Sequence, residues 1–473
     1  MSSAHSNRRS FRVGRYFDGA LKTFRKVNDL LTKHWFGLLF AVATLSLTTA
    51  VSVPAADRAA RARPPNIIVI MADDLGAECL SSYGSTSYKT PNLDALAKTG
   101  IRFLNCYATP LCSPSRAQLM TGRYGFRTGW TNMIERGEGA VNEFFDPNQE
   151  RTFGHVLKAA GYATAQSGKW QLAQFQKYPR HVNECGFDEY CCWTWLYDGQ
   201  RTDRYWQPSV WQNGKLREDV GDQYGEDVFC DFLIDFITRN QAKPFFVYYP
   251  MVLVHDPFEP TPDEKKGGLD GRKKSGPDVS HFPAMVAYMD KTVGRLVAAL
   301  DKLKLRENTL ILFTGDNGTP RPVTSRTGKT VIPGGKGTVT HLGSHVPLIA
   351  SWKGTVPGDR VLHDLVDFTD VLPTLAEVAG AELPRGVKID GRSFAPQLRG
   401  QTGQPREWVY VQLGNASFVR DQHWLLHNDG RFYDIKDDPF ERHDLSAEPQ
   451  CQEEVARLKK VSESVFHPAK PFR

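Results

Sequence analysis

One acidic pair, one Asp-Asn pair, one histidine and one cysteine segment are the residues in this 473-residue chain best suited to chemistry. Asp73-Asp74 closely follows the apolar run Asn66–Met71 (NIIVIM). Asp316-Asn317 follows Thr309–Thr314 (TLILFT) with one glycine between. Adjacent carboxylates repel unless a cation or a helix terminus takes up their charge, so the first pair alone reads as metal ligands or as a helix N-cap. The second ending, a carboxylate with an amide oxygen, turns the reading toward a hard divalent ion, Ca2+ or Mg2+, rather than zinc. A third apolar run, PFFVYYP (244–250), leads to His255-Asp256-Pro257. A lone histidine is usually structural, but beside such an ion it is a candidate acid or base. The sharpest signal is Cys112-Ser113-Pro114-Ser115-Arg116. Pro114 suits the first turn of a helix, which would place Cys112 at a helix N-terminus. The plainer alternative is a buried structural cysteine ahead of a helix.

The elements that must hold these residues follow from the apolar pattern. Continuous β-branched runs of six or seven residues mark strands buried on both faces, and Val346–Ser351 is a fourth. Between them the spacing predicts helices over 91–98, 153–160, 225–239, 282–303 and 368–380. Such alternation predicts an α/β fold, a large mostly parallel sheet sandwiched by helices, with its ligands beyond the carboxyl ends of the strands. After about Gly400 the segments Val409–Leu413, Ser417–Asp421, His423–His427 and Phe432–Ile435 alternate, with turns such as Asn428-Asp429-Gly430. They predict a small antiparallel sheet, with a last helix near Glu453–Ser464. The expected domains are therefore 64–400, catalytic, and 401–473, a small α+β subdomain.

Composition narrows the partners. The net charge of +6 resides in residues 1–55, which hold eight basic and two acidic residues; the rest of the chain is balanced. A nucleic-acid partner loses its electrostatic support there. The basic stretch, the apolar Trp35–Val53 and the small residues after it read as a signal peptide over 1–55, hence a secreted or periplasmic protein. Nineteen mostly apolar residues are also just long enough for an uncleaved membrane anchor. Export permits disulfides, and Cys185, Cys191, Cys192 and Cys230 lie close enough in sequence to invite them. The segment Trp193–Trp211 holds four of the ten tryptophans. It reads as a carbohydrate-stacking platform or as packing beneath an insertion, the second being the simpler expectation.

Taken in order, the blocks PPNIIVIMADDLG, CSPSRAQLMTGR, GYATAQSGKW, PFFVYYPMVLVHDPFEP, ILFTGDNG, GGKGT and FYDIKDDPFERHDL resemble the formylglycine-dependent (type I) sulfatase family of the alkaline-phosphatase-like superfamily. The resemblance spans about residues 64–446. It implies that Asp73, Asp74, Asp316 and Asn317 bind one divalent cation, usually Ca2+, with Cys112 beside it. It implies that a formylglycine-generating or equivalent maturation enzyme oxidises Cys112 to formylglycine (3-oxoalanine), and that Arg116 holds its hydroxyl. Lys169 and Lys336 would grip the sulfate oxygens, and His255 would protonate the leaving oxygen. The substrate would be a sulfate ester, with a sulfated carbohydrate favoured.

Two departures stand out. The family usually has histidine where this chain has Gln171, and an amide takes no proton at neutral pH. After GGKGT, Thr340–His345 replaces the usual Glu-Gly-Gly-Arg pattern; either His341 or His345 supplies a base or the rim is reshaped. A phosphonate monoester or phosphodiester hydrolase shares the cysteine and metal motifs, and a glycan-binding protein with impaired catalysis is a third class.

Overall fold

The computed structural model describes residues 63–134, 144–264 and 278–465; the expected signal or anchor segment lies outside the described residues. Ten strands form one sheet. Across it the order is Arg360–Asp367, Ile101–Tyr107, His345–Ser351, Thr309–Gly315, Asn66–Ala72, Phe245–Pro250, Ala163–Gly168, Glu189–Trp193, Val210–Gln212 and Lys215–Leu216. Asn66–Ala72 sits at the centre with every residue buried. It runs parallel to both neighbours, with Ile68 opposite Ile311 on one side and Val247 on the other. Ala163–Gly168 continues the parallel set beside Phe245–Pro250.

One strand runs against expectation. His345–Ser351 is antiparallel to Thr309–Gly315 and to Ile101–Tyr107. The link from Gly315 to His345 holds a two-stranded ribbon, Thr324–Thr327 with Thr330–Pro333, and a single helical turn, His341–Ser344. Without a crossover helix the chain returns in the opposite direction. Two reversals restore direction, so Ile101–Tyr107 ends at the same edge as the parallel set and delivers the helix Cys112–Thr121 there.

The helices Pro91–Lys98, Phe153–Ala159, Gly225–Asn240, Phe282–Lys302 and Val371–Ala379 fall where the apolar spacing placed them. Thr152 caps one of them, its hydroxyl accepting from His155 N. All eight cysteines are free and buried, including Cys185, Cys191, Cys192 and Cys230. Apart from Cys112, they serve as small apolar packing groups.

The last sheet, Val409–Leu413, Ala416–Arg420, Trp424–His427 and Phe432–Asp434, is antiparallel throughout. Its period of two divides it cleanly. Tyr410, Val419, Leu426 and Phe432 pack with Leu458 and Val465 of the final helix, Gln452–Val465, and with Tyr124 and Phe126. Val409, Val411, Phe418 and Leu425 pack against Tyr107 and Leu365 of the large sheet. Among the described residues no helix is long and apolar enough to cross a membrane.

Candidate active site

Four adjacent parallel strands end at one edge, and each delivers residues there. Ala72 pairs with Gly315, so Asp73 and Asp316 emerge side by side. Asp73, Asp74, Asp316 and Asn317 are all completely buried. Asp74 takes a left-handed backbone, φ 63°, and its N–H donates to Asp316 Oδ1 at 2.9 Å. Asn317 Nδ2 donates to Asp74 Oδ1 at 2.8 Å, which leaves Asn317 Oδ1 buried without a partner. That orphaned oxygen, beside three sealed carboxylates, is a donor set suited to a hard divalent cation. One ligand atom from each of Asp73, Asp74, Cys112 and His255 lies within 4.8 Å of the others.

Cys112 opens its helix. Its Sγ lies 3.6 Å from Asp73 Oδ1 and 3.9 Å from Asp74 Oδ1. All ten residues of that helix are buried. Its serines act as staples: Ser113 Oγ donates to Gln171 O at 3.2 Å, and Ser115 Oγ donates to Thr109 O at 3.0 Å. The αL residue Gly122 ends the helix at φ 67°, where a β-carbon would crowd Thr369 O and Leu372. Four residues after Cys112, Arg116 Nη2 donates to Asp316 Oδ2 at 2.7 Å and Nη1 to Lys169 O at 3.1 Å.

The two lysines face the carboxylates. Lys169 Nζ donates to both oxygens of Asp73 at 2.8 Å. The turn behind it needs Gly168, φ 110°, because a β-carbon there would lie 2.1 Å from Pro250 O. Lys336 Nζ donates to Asp74 Oδ2 and lies 3.0 Å from His255 Nε2. With an ammonium as donor, Nε2 accepts, and Nδ1 carries the proton toward Asp256 O at 2.7 Å and Asp256 Oδ1 at 3.0 Å. Three acids thus stand against three buried or half-buried cations, Arg116, Lys169 and Lys336.

Electrostatics follow from this packing. Burial alone would raise Asp73, but Lys169, His255, Arg116 and Arg204 together hold it well below the usual carboxylate range. Asp316 moves the other way, pushed up to about 7 by burial and by Asp73 beside it. Burial pushes the Cys112 thiol up to about 12, so the unmodified side chain is neutral. Burial also lowers His255.

Every expected site residue therefore reaches one cluster. His341 and His345 do not. Their rings stack at 4.5 Å, His341 Nδ1 meets Tyr107 OH at 2.9 Å, and His345 Nε2 donates to Leu104 O at 2.7 Å. Burial holds His345 down to about 4, and each ring spends a nitrogen on Tyr107 or Leu104, outside the carboxylate cluster. Gln171 lies in the turn after Lys169 at φ 53°, with Oε1 buried and unpartnered. Most of the aromatic segment is core: Trp193, Trp195, Tyr205 and Trp206 are buried. Arg204, inside that segment, escaped the motif reading entirely, yet its Nη1 reaches Asp73 Oδ2 at 3.5 Å. The only signal for it in sequence is a cation set among aromatics.

The Sulfatase family model matches residues 65–381. The chain belongs to the sulfatase family. Canine N-acetylgalactosamine-6-sulfatase is 33% identical over 358 residues, 72% of this chain and 66% of that protein. Human arylsulfatase A is 33% identical over 386 residues, 76% of this chain and 72% of its own length. The chain thus spans about two thirds of the curated relatives, whose names place it in the class of sulfuric ester hydrolases. Among solved structures, Ps i-CgsB aligns with TM-score 0.72 and 28% identity, covering 86% of this chain and 94% of that one. The same protein in complex with k-i-k-neocarrahexaose aligns with TM-score 0.71. These likenesses agree with the alkaline-phosphatase-like fold expected from the motifs.

Proposed function

We propose that the chain is an exported sulfatase that hydrolyses sulfate monoesters on a carbohydrate. The observation that carries this reading is the convergence of Cys112 with three buried carboxylates and two lysines. Asp73, Asp74, Asp316 and Asn317, beside the side chain at 112, would hold one Ca2+, with Mg2+ as the second choice. When bound, the ion neutralises the carboxylates and polarises a sulfuryl oxygen. Formylglycine made from Cys112 by a maturation enzyme would supply a hydroxyl nucleophile.

The chain's own residues do the remaining work. Arg116, fixed by Asp316 and by Lys169 O, orients the side chain at 112. Lys169 and Lys336 bind and neutralise the sulfate oxygens once the ion satisfies Asp73 and Asp74, because three acids cannot hold three side-chain cations and a divalent ion equally. Lys336 and His255 share a hydrogen bond, so a proton stands at this pair for the leaving sugar oxygen. Ps i-CgsB was solved with an oligosaccharide and several of the mammalian relatives are named N-acetylgalactosamine-6-sulfatase, which supports a carbohydrate substrate. The signal-like residues 1–55 support export, and the described residues from 401 to 465 would be the appended subdomain.

The test is sulfate release from 4-methylumbelliferyl sulfate by protein produced with a maturation enzyme, alongside the matching aryl phosphodiester. Sulfate release well above phosphodiester cleavage, lost in Cys112→Ala with the fold intact, is the expected result. Peptide mass spectrometry should show the aldehyde at position 112. Full activity with an unmodified thiol sinks the nucleophile assignment, and faster phosphodiester cleavage favours the alternative enzyme class.

A further inference from the structure

The segment from Trp193 to Tyr205 builds a fixed support for one more cation. The Arg204 guanidinium lies 3.9 Å over the Trp193 ring. Trp193 is itself held, its Nε1 donating to Thr202 Oγ1 at 2.9 Å. The following residue, Tyr205, donates its hydroxyl to Val252 O at 2.8 Å, which ties the platform to the loop that carries His255.

Among the described residues, the only hydrogen bond of this guanidinium is the 3.5 Å contact with Asp73 Oδ2. That contact is long, and Lys169 already bonds both oxygens of the same carboxylate at 2.8 Å. The rest of a five-donor fork has no acceptor among the described residues. The Arg204 side chain keeps 10% of its surface exposed, beside a mouth where His255 keeps 15% and Asp256 60%. Arg116, Lys169 and Lys336 already match Asp73, Asp74 and Asp316, and the other acid that feels Arg204 at the mouth is the largely exposed Asp256. Stacking on Trp193 holds its planar fork ready for an oxyanion, which lowers the ordering cost of binding one.

We propose that Arg204 is a specificity-determining residue that binds a second oxyanion of the substrate, a sulfate or a carboxylate carried near the scissile sulfate ester. The proposal rests on the sulfatase reading and names the substrate class more closely: a polyanionic sugar.

The test is calorimetric binding of three disaccharides to the full chain carrying Cys112→Ala, which prevents turnover during the titration. One disaccharide carries a single sulfate, one carries two sulfates, and one carries a sulfate and a carboxylate. The parent should prefer a dianionic disaccharide over the monosulfated one. Adding Arg204→Ala should weaken that ligand by roughly 10–100-fold, the range of a charge-assisted hydrogen-bonded pair, and so remove the preference. Arg204→Lys should keep part of it, as a point charge without the fork. The dianionic ligand that shows the effect identifies the second group. A preference unchanged by Arg204→Ala, an equal loss for all three ligands, or no binding of any of them overturns the proposal. The expected binding pattern together with no sulfate release from 4-methylumbelliferyl sulfate by the mature chain rejects the sulfatase reading and leaves Arg204 as an oxyanion receptor.

Discussion

Gln171 shows how one side chain in this site invites a direct test. Its Oε1 is buried without a partner, and its backbone at φ 53° lies in a region that histidine also tolerates. Its carbonyl accepts from Ser113, so the turn is fixed by the backbone and does not depend on the amide. Gln171→His should therefore fold and raise turnover of 4-methylumbelliferyl sulfate. It should also add a limb to the pH–rate profile near pH ~6.5, where a new imidazole titrates. A general base contributes roughly 10²–10⁴-fold, so even partial participation is measurable. If Gln171 instead binds a sugar hydroxyl, the variant loses activity on the sugar and keeps it on the aryl sulfate; loss on both leaves a purely structural residue.

At the scale of elements, the loops that carry Lys169 and Lys336 are held by groups remote from the chemistry. Trp170 Nε1 donates to His181 Nδ1 at 2.9 Å, and His181 Nε2 donates to Phe145 O. This fixes a neutral tautomer, and burial keeps His181 down at about 4. The folded-state value lies below that of the unfolded chain, so the native state resists protonation. Stability conferred by neutral His181 is complete above pH ~6.5 and is lost as pH falls toward 4, a change on the order of 3 kcal/mol. Denaturant unfolding from pH 7 to 4.5 should show this loss, with a smaller slope in His181→Gln. On the other side, Glu441 Oε1 accepts from His341 N at 2.6 Å and Oε2 pairs with His427 Nε2 at 2.7 Å. Glu441→Ala removes both bonds, one to the turn that follows Lys336. It should cost about 1–3 kcal/mol in denaturant unfolding and raise KM more than it lowers kcat.

For the whole molecule, a divalent cation held at the sheet edge would be the largest added charge, and the body of the fold should register it. Three sealed carboxylates meet at the sheet edge, so a ligand that binds only the native chain stabilises it. At a 100-fold excess over Kd, Ca2+ should add about 2.7 kcal/mol, which raises Tm by roughly 3 °C for a body of this size. Exhaustive chelation should reverse the shift and abolish activity, and Ca2+ should restore both. Restoration by zinc alone, or full activity in the metal-free protein, contradicts the oxygen-ligand assignment.

The sequence is most legible where local pattern and chemistry coincide. Buried strands such as Asn66–Ala72 announce themselves by unbroken apolar runs, and their endings announce the candidate ligands Asp73, Asp74, Asp316 and Asn317. The motif around Cys112 marked both its helix and its place at the site. Ala163–Gly168 was legible only as a motif, because Ala, Thr, Gln and Ser carry no strand pattern, although all six residues are buried. The reversed direction of His345–Ser351 was hidden, since direction depends on what the preceding link can span and residue type does not record it. The stacked pair His341 and His345 looked like candidate bases until packing turned them toward Tyr107 and Leu104. Arg204 and Glu441 sit within legible segments, yet nothing local foretold that Arg204 would reach Asp73 or Glu441 would reach His341, contacts that span 131 and 100 residues. Sequence alone determined the elements and the chemistry at strand ends, where spacing in the chain is spacing in space. Only the tertiary structure decided which distant side chains complete the site, because those contacts are made by folding and leave no period in the chain.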